Sequence, residues 1–251
     1  MISIKSNREI ELLRMAGEIV HETRMYLIPF IKEGITTKEL DTLAEEFIRS
    51  KGATPSFKGL NDFPASICTS INQEVVHGIP SKRKLRNGDI ISIDIGACYK
   101  GYHGDSAWTF AVGEISPKKQ ELMEHTKESL FKGLEQIKPG NHIGDISHAI
   151  EEHANKYHLG VIRELVGHGV GTSVHEAPDV PNYGQAGVGP VLKEGMVLAV
   201  EPMLTLGRRD ICILDDDWTI ETVDNSPAAH YEHTVVVTHD GVEILTGGID
   251  G

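Results

Sequence analysis

SIDIGACYKGYHGDSAWTF, residues 92–110, places two aspartates inside an apolar stretch. Asp94 follows Ile90, Ile91, Ser92 and Ile93 and precedes Ile95, a run that reads as a buried strand. Asp105 lies beyond a short turn at Tyr99-Lys100-Gly101, in what reads as the returning strand of a hairpin. A lone carboxylate in such a place must lose its charge or find a strong partner. The hairpin brings two carboxylates to one face, where like charges repel and one should protonate. A divalent cation between them removes the conflict.

The surrounding chain has 251 residues, 39% hydrophobic and 24% charged, an ordinary composition for a globular protein with a sizeable core. No linker or low-complexity segment divides it, so a single domain over 1–251 is expected. The net charge of −13 argues against a nucleic-acid or anionic-membrane surface as the main business. The basic run Lys82-Arg83-Lys84 with Arg86 reads as a solvated loop. Three scattered cysteines, Cys68, Cys98 and Cys212, form no CxxC pair and point to reduced thiols. The N-terminal stretch lacks a signal-peptide core, and no apolar run approaches the ~18 residues of a membrane span. A soluble cytoplasmic protein is expected, with monomer as the default.

Helical spacing runs over 7–29 (Ile10, Leu13, Met15, Ile19, Met25), with Asn7 as the expected cap, and over 37–51 behind an N-cap at Thr36. Further helices are expected at 117–137 and 143–158. Strands are expected at 65–72, 89–98, 104–112, 161–166, 196–206, 211–214, 218–222, 229–238 and 242–246. A weak repeat aligns 31–52 with 137–158 at a shift of 106, with five identities in 22 positions. The order helix, helix, strands occurs twice, which suggests two related α+β halves facing a common centre.

Two more acids interrupt apolar runs: Glu201 in MVLAVEPMLT (196–205) and Glu232 ahead of Thr234–Val237. Four acids in four strand-like runs, with little arginine nearby in the sequence, need a shared compensation, and metal supplies it. VGHGVGTSVHEAP (166–178) offers His168 and His175 in a glycine-rich segment flanked by strands. His125, His148, His153 and His158 lie on expected helices and read as ordinary residues. Two divalent ions balance four carboxylates, and an oxygen-rich set with one imidazole suits Co, Mn, Fe or Zn. Two ions ~3.5–4 Å apart activate a shared hydroxide, so the chemistry reads as metal-assisted hydrolysis. No HExxH string occurs.

The strings SINQEVVHGIP, ISIDIGACYKGYHGDSA, LVGHGVGTSVHEAPDVPNYG, EGMVLAVEPML and YEHTVVVT together resemble the type I methionine aminopeptidases, over essentially the whole chain. The resemblance implies an α+β pita-bread (creatinase/aminopeptidase-like) fold, with two pseudo-symmetric halves and a central curved antiparallel sheet covered by helices. It implies removal of the initiator methionine from nascent chains and peptides, with a small second residue preferred. Ribosome association would suit that task, though no residue marks it. The implied metal ligands are Asp94, Asp105, His168, Glu201 and Glu232. Glu201 would also carry a proton from the attacking water to the leaving amine. His175 would donate to the developing oxyanion, and His77 would partner the scissile amide nitrogen. Phe57, Phe63, Cys68, Val174 and Trp218 match the methionine pocket. The chain departs from the family's usual pattern at Phe57, Asn61 and Val174. Two other readings share parts of this pattern: an Xaa-Pro aminopeptidase or dipeptidase of the same fold, and a non-catalytic binding protein. The former usually carries an additional N-terminal domain, and the latter should have lost ligands; the chain looks like the short form with all five ligand positions filled.

Overall fold

A computed structural model describes residues 2–247. The first half opens with α1 (Asn7–Leu27) and α2 (Thr37–Ser50), followed by β1 (Thr54–Pro55), β2 (Ile67–Ile71), β3 (Glu74–Val76), β4 (Ile90–Tyr99) and β5 (Tyr102–Ala111). The second half repeats the order with α3 (Pro117–Leu134), α4 (Ile143–Lys156), β6 (Gly160–Val161), β7 (Gly167–Gly169), β8 (Glu176–Val180) and β9 (Val197–Val200). It ends with β10 (Met203–Thr205), β11 (Ile211–Ile213), β12 (Ile220–Thr222), β13 (Ala228–His230), β14 (His233–Val237) and β15 (Val242–Ile244).

The helices start where side chains satisfy their free N–H groups. Glu39 accepts from the backbone of Thr36 at 2.8 Å, and Thr36 Oγ1 accepts from the Glu39 N–H at 3.2 Å. The cap of α1 is Ser6, whose N–H donates to Glu9 at 2.8 Å; Asn7, the expected cap, is already the first helical residue. Met25, expected on the buried stripe of α1, is half exposed, and Val20 and Leu27 carry that face inward instead.

The repeat is real at the level of single bonds. Helices α2 and α4 span positions related by the shift of 106 read from the sequence. Gly34 and Gly140 precede them with φ of +94° and +93°, and their N–H groups donate to Leu85 and Leu192 at 2.9 and 3.0 Å. Gly52 and His158, also 106 apart, end them in the left-handed region at φ +74° and +57°.

All strand pairs in the described residues are antiparallel. In the first half β4 is central, with β5 on one edge and β1 and β2 sharing the other. The second half is built on the order β15-β14-β9-β7-β8. Helices α1 and α2 cover the first sheet over Val20, Leu40, Ile48, Ile67 and Ile93. Helices α3 and α4 cover the second half over Leu130, Ile146, Ile150, Leu198 and Val235. The expected strand 161–166 shrinks to β6, because the chain then leaves the sheet to run along a cavity. The expected strands 196–206 and 229–238 each split in two.

The halves meet where β5 runs antiparallel to residues 230–234. Thr109 Oγ1 accepts from the His230 N–H at 3.0 Å and donates to the His230 carbonyl at 2.9 Å. Thr234 Oγ1 does the same for Asp105, accepting at 3.0 Å and donating at 2.7 Å. Between them the Glu232 N–H donates to the Ala107 carbonyl at 2.8 Å. Each hydroxyl thus satisfies one buried donor and one buried acceptor of the other half.

Candidate active site

The β4–β5 hairpin presents the first two acids. Gly96 stands opposite Asp105 and Ala107 opposite Asp94, so the two carboxylates are diagonal neighbours on one face of the ladder. The turn between the strands has Lys100 and Gly101 at φ +49° and +84°, the paired left-handed residues that a tight hairpin needs. Gly96 has a second use: a Cβ there would lie 2.7 Å from the Phe57 ring, so its bareness seats Phe57 beside the acids. Cys68 faces Asp94 from β2.

Glu201 and Glu232 come from the second half, and neither lies inside a strand. Glu201 occupies the break between β9 and β10, followed by Pro202, which cannot donate to a ladder. Glu232 fills the break between β13 and β14. These interruptions free each side chain to turn inward. His168, on β7 opposite Ala199, completes the set. Its Nδ1 lies 2.9 Å from the Gly169 carbonyl, which only accepts, so Nδ1 carries the proton. Nε2 is left as a free donor atom, 3.9 Å from Asp105 Oδ2 and 3.5 Å from Glu201 Oε1.

Electrostatics at this cluster are those of a set short of positive charge. Burial pushes Asp94 up to about 6 and Glu201 up to about 7. Asp105 and Glu232 are held well above the usual carboxylate range by burial and by their acidic neighbours. Asp94 Oδ1, Asp105 Oδ1 and Glu232 Oε1 are buried without a hydrogen-bond partner. Donor atoms of Asp105, His168 and Glu232 fall within 4.8 Å of one another. Orphaned carboxyl oxygens beside the His168 imidazole are what divalent cations satisfy, and the residues fit that role.

A cavity of about 360 Å³ opens onto these groups. His77 lines it with φ +60°, a backbone conformation unusual for a histidine and held by the packing of Gly78 against Thr69. Burial, with His230 nearby, lowers the His77 pKa to about 4. His175 lies at the cavity's solvent side, its ring 4.3 Å from that of His168. Partial burial and the neighbours His77 and His103 hold its pKa below the usual histidine range. The segment carrying it is tied down by Lys5, whose Nζ reaches Glu176 Oε2 at 2.5 Å, while Glu176 Oε1 accepts from the Ser173 N–H at 3.2 Å.

One wall is apolar. Phe57, Phe63, Cys68 and Trp218 line it, with Phe63 and Trp218 edge to face at 5.0 Å. Val174 packs with this cluster but does not line the cavity. Every other expected site residue does. Sequence reasoning missed His230, which is 2% exposed and lies 3.4 Å from Glu201 and 4.0 Å from Glu232. Its position two residues before Glu232 was the available signal. Glu164, Leu165 and Met203 also line the cavity.

The sequence pattern of metallopeptidase family M24 matches residues 11–239. Methionine aminopeptidase 1 of Bacillus subtilis is 54% identical over 246 residues, covering 98% of this chain and 99% of its own length. The crystal structure of methionine aminopeptidase from Rickettsia prowazekii superposes with a TM-score of 0.97 at 40% identity, covering 98% of this chain and all of that one. Prolidase from Pyrococcus furiosus matches with a TM-score of 0.80 at 28% identity, covering 97% of this chain and 65% of that one.

Proposed function

This chain belongs to metallopeptidase family M24, and from that premise we propose how the residues of its pocket divide the work. The enzyme removes the N-terminal methionine from peptides and proteins by metal-dependent hydrolysis. One observation carries the site assignment: four carboxyls from two halves of the chain converge with the imidazoles of His168 and His230, and Asp94, Asp105 and Glu232 each leave an oxygen unpartnered. Asp94, Asp105, His168, Glu201 and Glu232 would hold two divalent ions, of which Co, Mn, Fe and Zn all suit the donors. Bound there, the ions supply Lewis-acid activation of water and a positive anchor for the substrate's α-amine.

The remaining work falls to the chain itself. Glu201 takes a proton from the attacking water and passes it to the leaving amine. His175, neutral at pH 7, donates to the oxygen that gains charge. His77, also on the cavity lining, meets the scissile nitrogen. The methionine side chain enters between Phe57, Phe63, Cys68 and Trp218, where a flexible thioether gains both burial and sulfur–aromatic contact. A small second residue is the preferred neighbour of that methionine, beside His77 and His175 on the cavity lining. The substrate is then a peptide or nascent-chain N-terminus, met in the cytoplasm by a monomer acting as one catalytic unit. Three unpaired cysteines support a reducing compartment.

The test is a cleavage assay read by mass spectrometry, on chelated enzyme and on enzyme resupplied with Co, Mn, Fe or Zn. Metal-dependent loss of methionine from a Met-Gly peptide, with Met-Lys spared, is the expected result. Cleavage of Ala-Pro peptides in its place would move the enzyme to the Xaa-Pro branch of the fold. Folded protein that cleaves nothing with any metal would be a binding protein.

A further inference from the structure

On the solvent side of α3 and α4, away from the catalytic cavity, three ligand-type side chains meet. His125 and Glu128 lie one turn apart on α3, and His153 reaches them from α4. Glu128 Oε2 is 3.0 Å from His125 Nδ1 and 3.2 Å from His153 Nε2. The three donor atoms fall within 4.8 Å of one another. Two donors bonded to one tetrahedral zinc at about 2.0 Å lie roughly 3.3 Å apart, so these atoms already sit near ligand spacing.

Ordinary hydrogen bonding does not account for the cluster. The bond between His125 and Glu128 is complete at 3.0 Å. His153 Nε2, in contrast, is shielded from solvent and lies 3.2 Å from the same carboxylate without the alignment of a full hydrogen bond. The rings are also held in place. His125 stacks on Tyr157 with centroids 3.4 Å apart, and Tyr157 packs on His153 at 5.0 Å. Burial holds His153 below the usual histidine range, against the opposing pull of Glu128. The hydrogen bond from His125 keeps Glu128 ionised.

We propose that His125, Glu128 and His153 form a cation site of their own, taking a borderline divalent ion of the zinc class and clasping α3 to α4. Two imidazoles and one carboxylate select such an ion over magnesium or calcium, which favour all-oxygen shells. Water fills the fourth position, because Glu128 faces solvent. None of the three residues lines the catalytic cavity.

Zinc alone is the probe. Wild-type enzyme and the variants His153→Gln and Glu128→Gln are dialysed against buffered micromolar free Zn²⁺, and zinc per chain is counted by mass spectrometry. The catalytic ions contribute equally to all three proteins. Wild type should hold one zinc more than His153→Gln, and Glu128→Gln should bind that zinc at least about tenfold more weakly. Both variants should cleave a Met-Gly peptide at the wild-type rate, which locates the lost ion outside the catalytic pocket. Glu128 is exposed, so its variant keeps the test decisive even if His153→Gln misfolds. Equal zinc counts in wild type and Glu128→Gln, or an excess that appears only at millimolar zinc, would overturn the proposal.

Discussion

Glu201 lies at a strand break, with His168 on one side at 3.5 Å and His230 on the other at 3.4 Å. Replacing it by glutamine preserves volume and polarity but removes the proton acceptor. Turnover should fall by about 10²- to 10⁴-fold with an unchanged circular dichroism spectrum. Activity within tenfold of wild type would strip Glu201 of its proton-carrying role. His175→Ala should lower kcat by about 10²- to 10³-fold and leave KM nearly unchanged, because its hydrogen bond strengthens as charge develops. A change confined to KM would place His175 in substrate binding. The four acids were legible because each interrupts or adjoins an apolar run, where an unpaired charge has no ordinary explanation, and His168 because glycines surround it. His230 was not, since a histidine at the end of a short strand looks like any core histidine until Glu201 and Glu232 are seen around it. Val174 marks the opposite limit: a pattern places it at the pocket, and packing sets it behind the wall.

The hairpin β4–β5 was readable nearly to the residue, because an apolar run, a Lys-Gly turn and a second run leave one register. Its Gly96 couples that register to substrate fit. A methyl group there meets the Phe57 ring, so Gly96→Ala should push the ring toward the cavity. The expected outcome is a KM for Met-Gly peptides raised several-fold, with kcat far less affected. An unchanged KM would mean that Phe57 yields in some other direction. The breaks at Glu201 and Glu232 escaped the reading, since Val197–Leu204 and Ala229–Val237 look continuous in composition. Pro202 hinted at the first break; the second depends on β5 pairing with residues 230–234, a contact remote in sequence. The segment 161–166 failed as a strand for a similar reason, as Glu164 and Leu165 serve the cavity rather than a sheet. By contrast, the weak repeat foretold helices whose bounds, and the glycine ahead of each, match to the residue.

At the scale of the molecule, both halves contribute acids to one centre, so cations placed there hold the halves together. An ion present at a hundred times its dissociation constant adds about 2.7 kcal/mol of stability. For a domain of this size that corresponds to roughly 5–10 °C in Tm. Chelation should lower the midpoint of unfolding by that amount, and restoring the metal should recover it. No change on chelation would mean that the acids hold no metal in solution, or hold it too weakly to matter. The threonine-bonded seam has its own bearing on heat. Thr109 and Thr234 act as a vernier, indexing the acids of one half against those of the other with four hydrogen bonds. Warming can let that scale slip while both helical layers stay whole. The enzyme should therefore go silent several degrees before its helices melt, and its activity is a finer thermometer than its ellipticity.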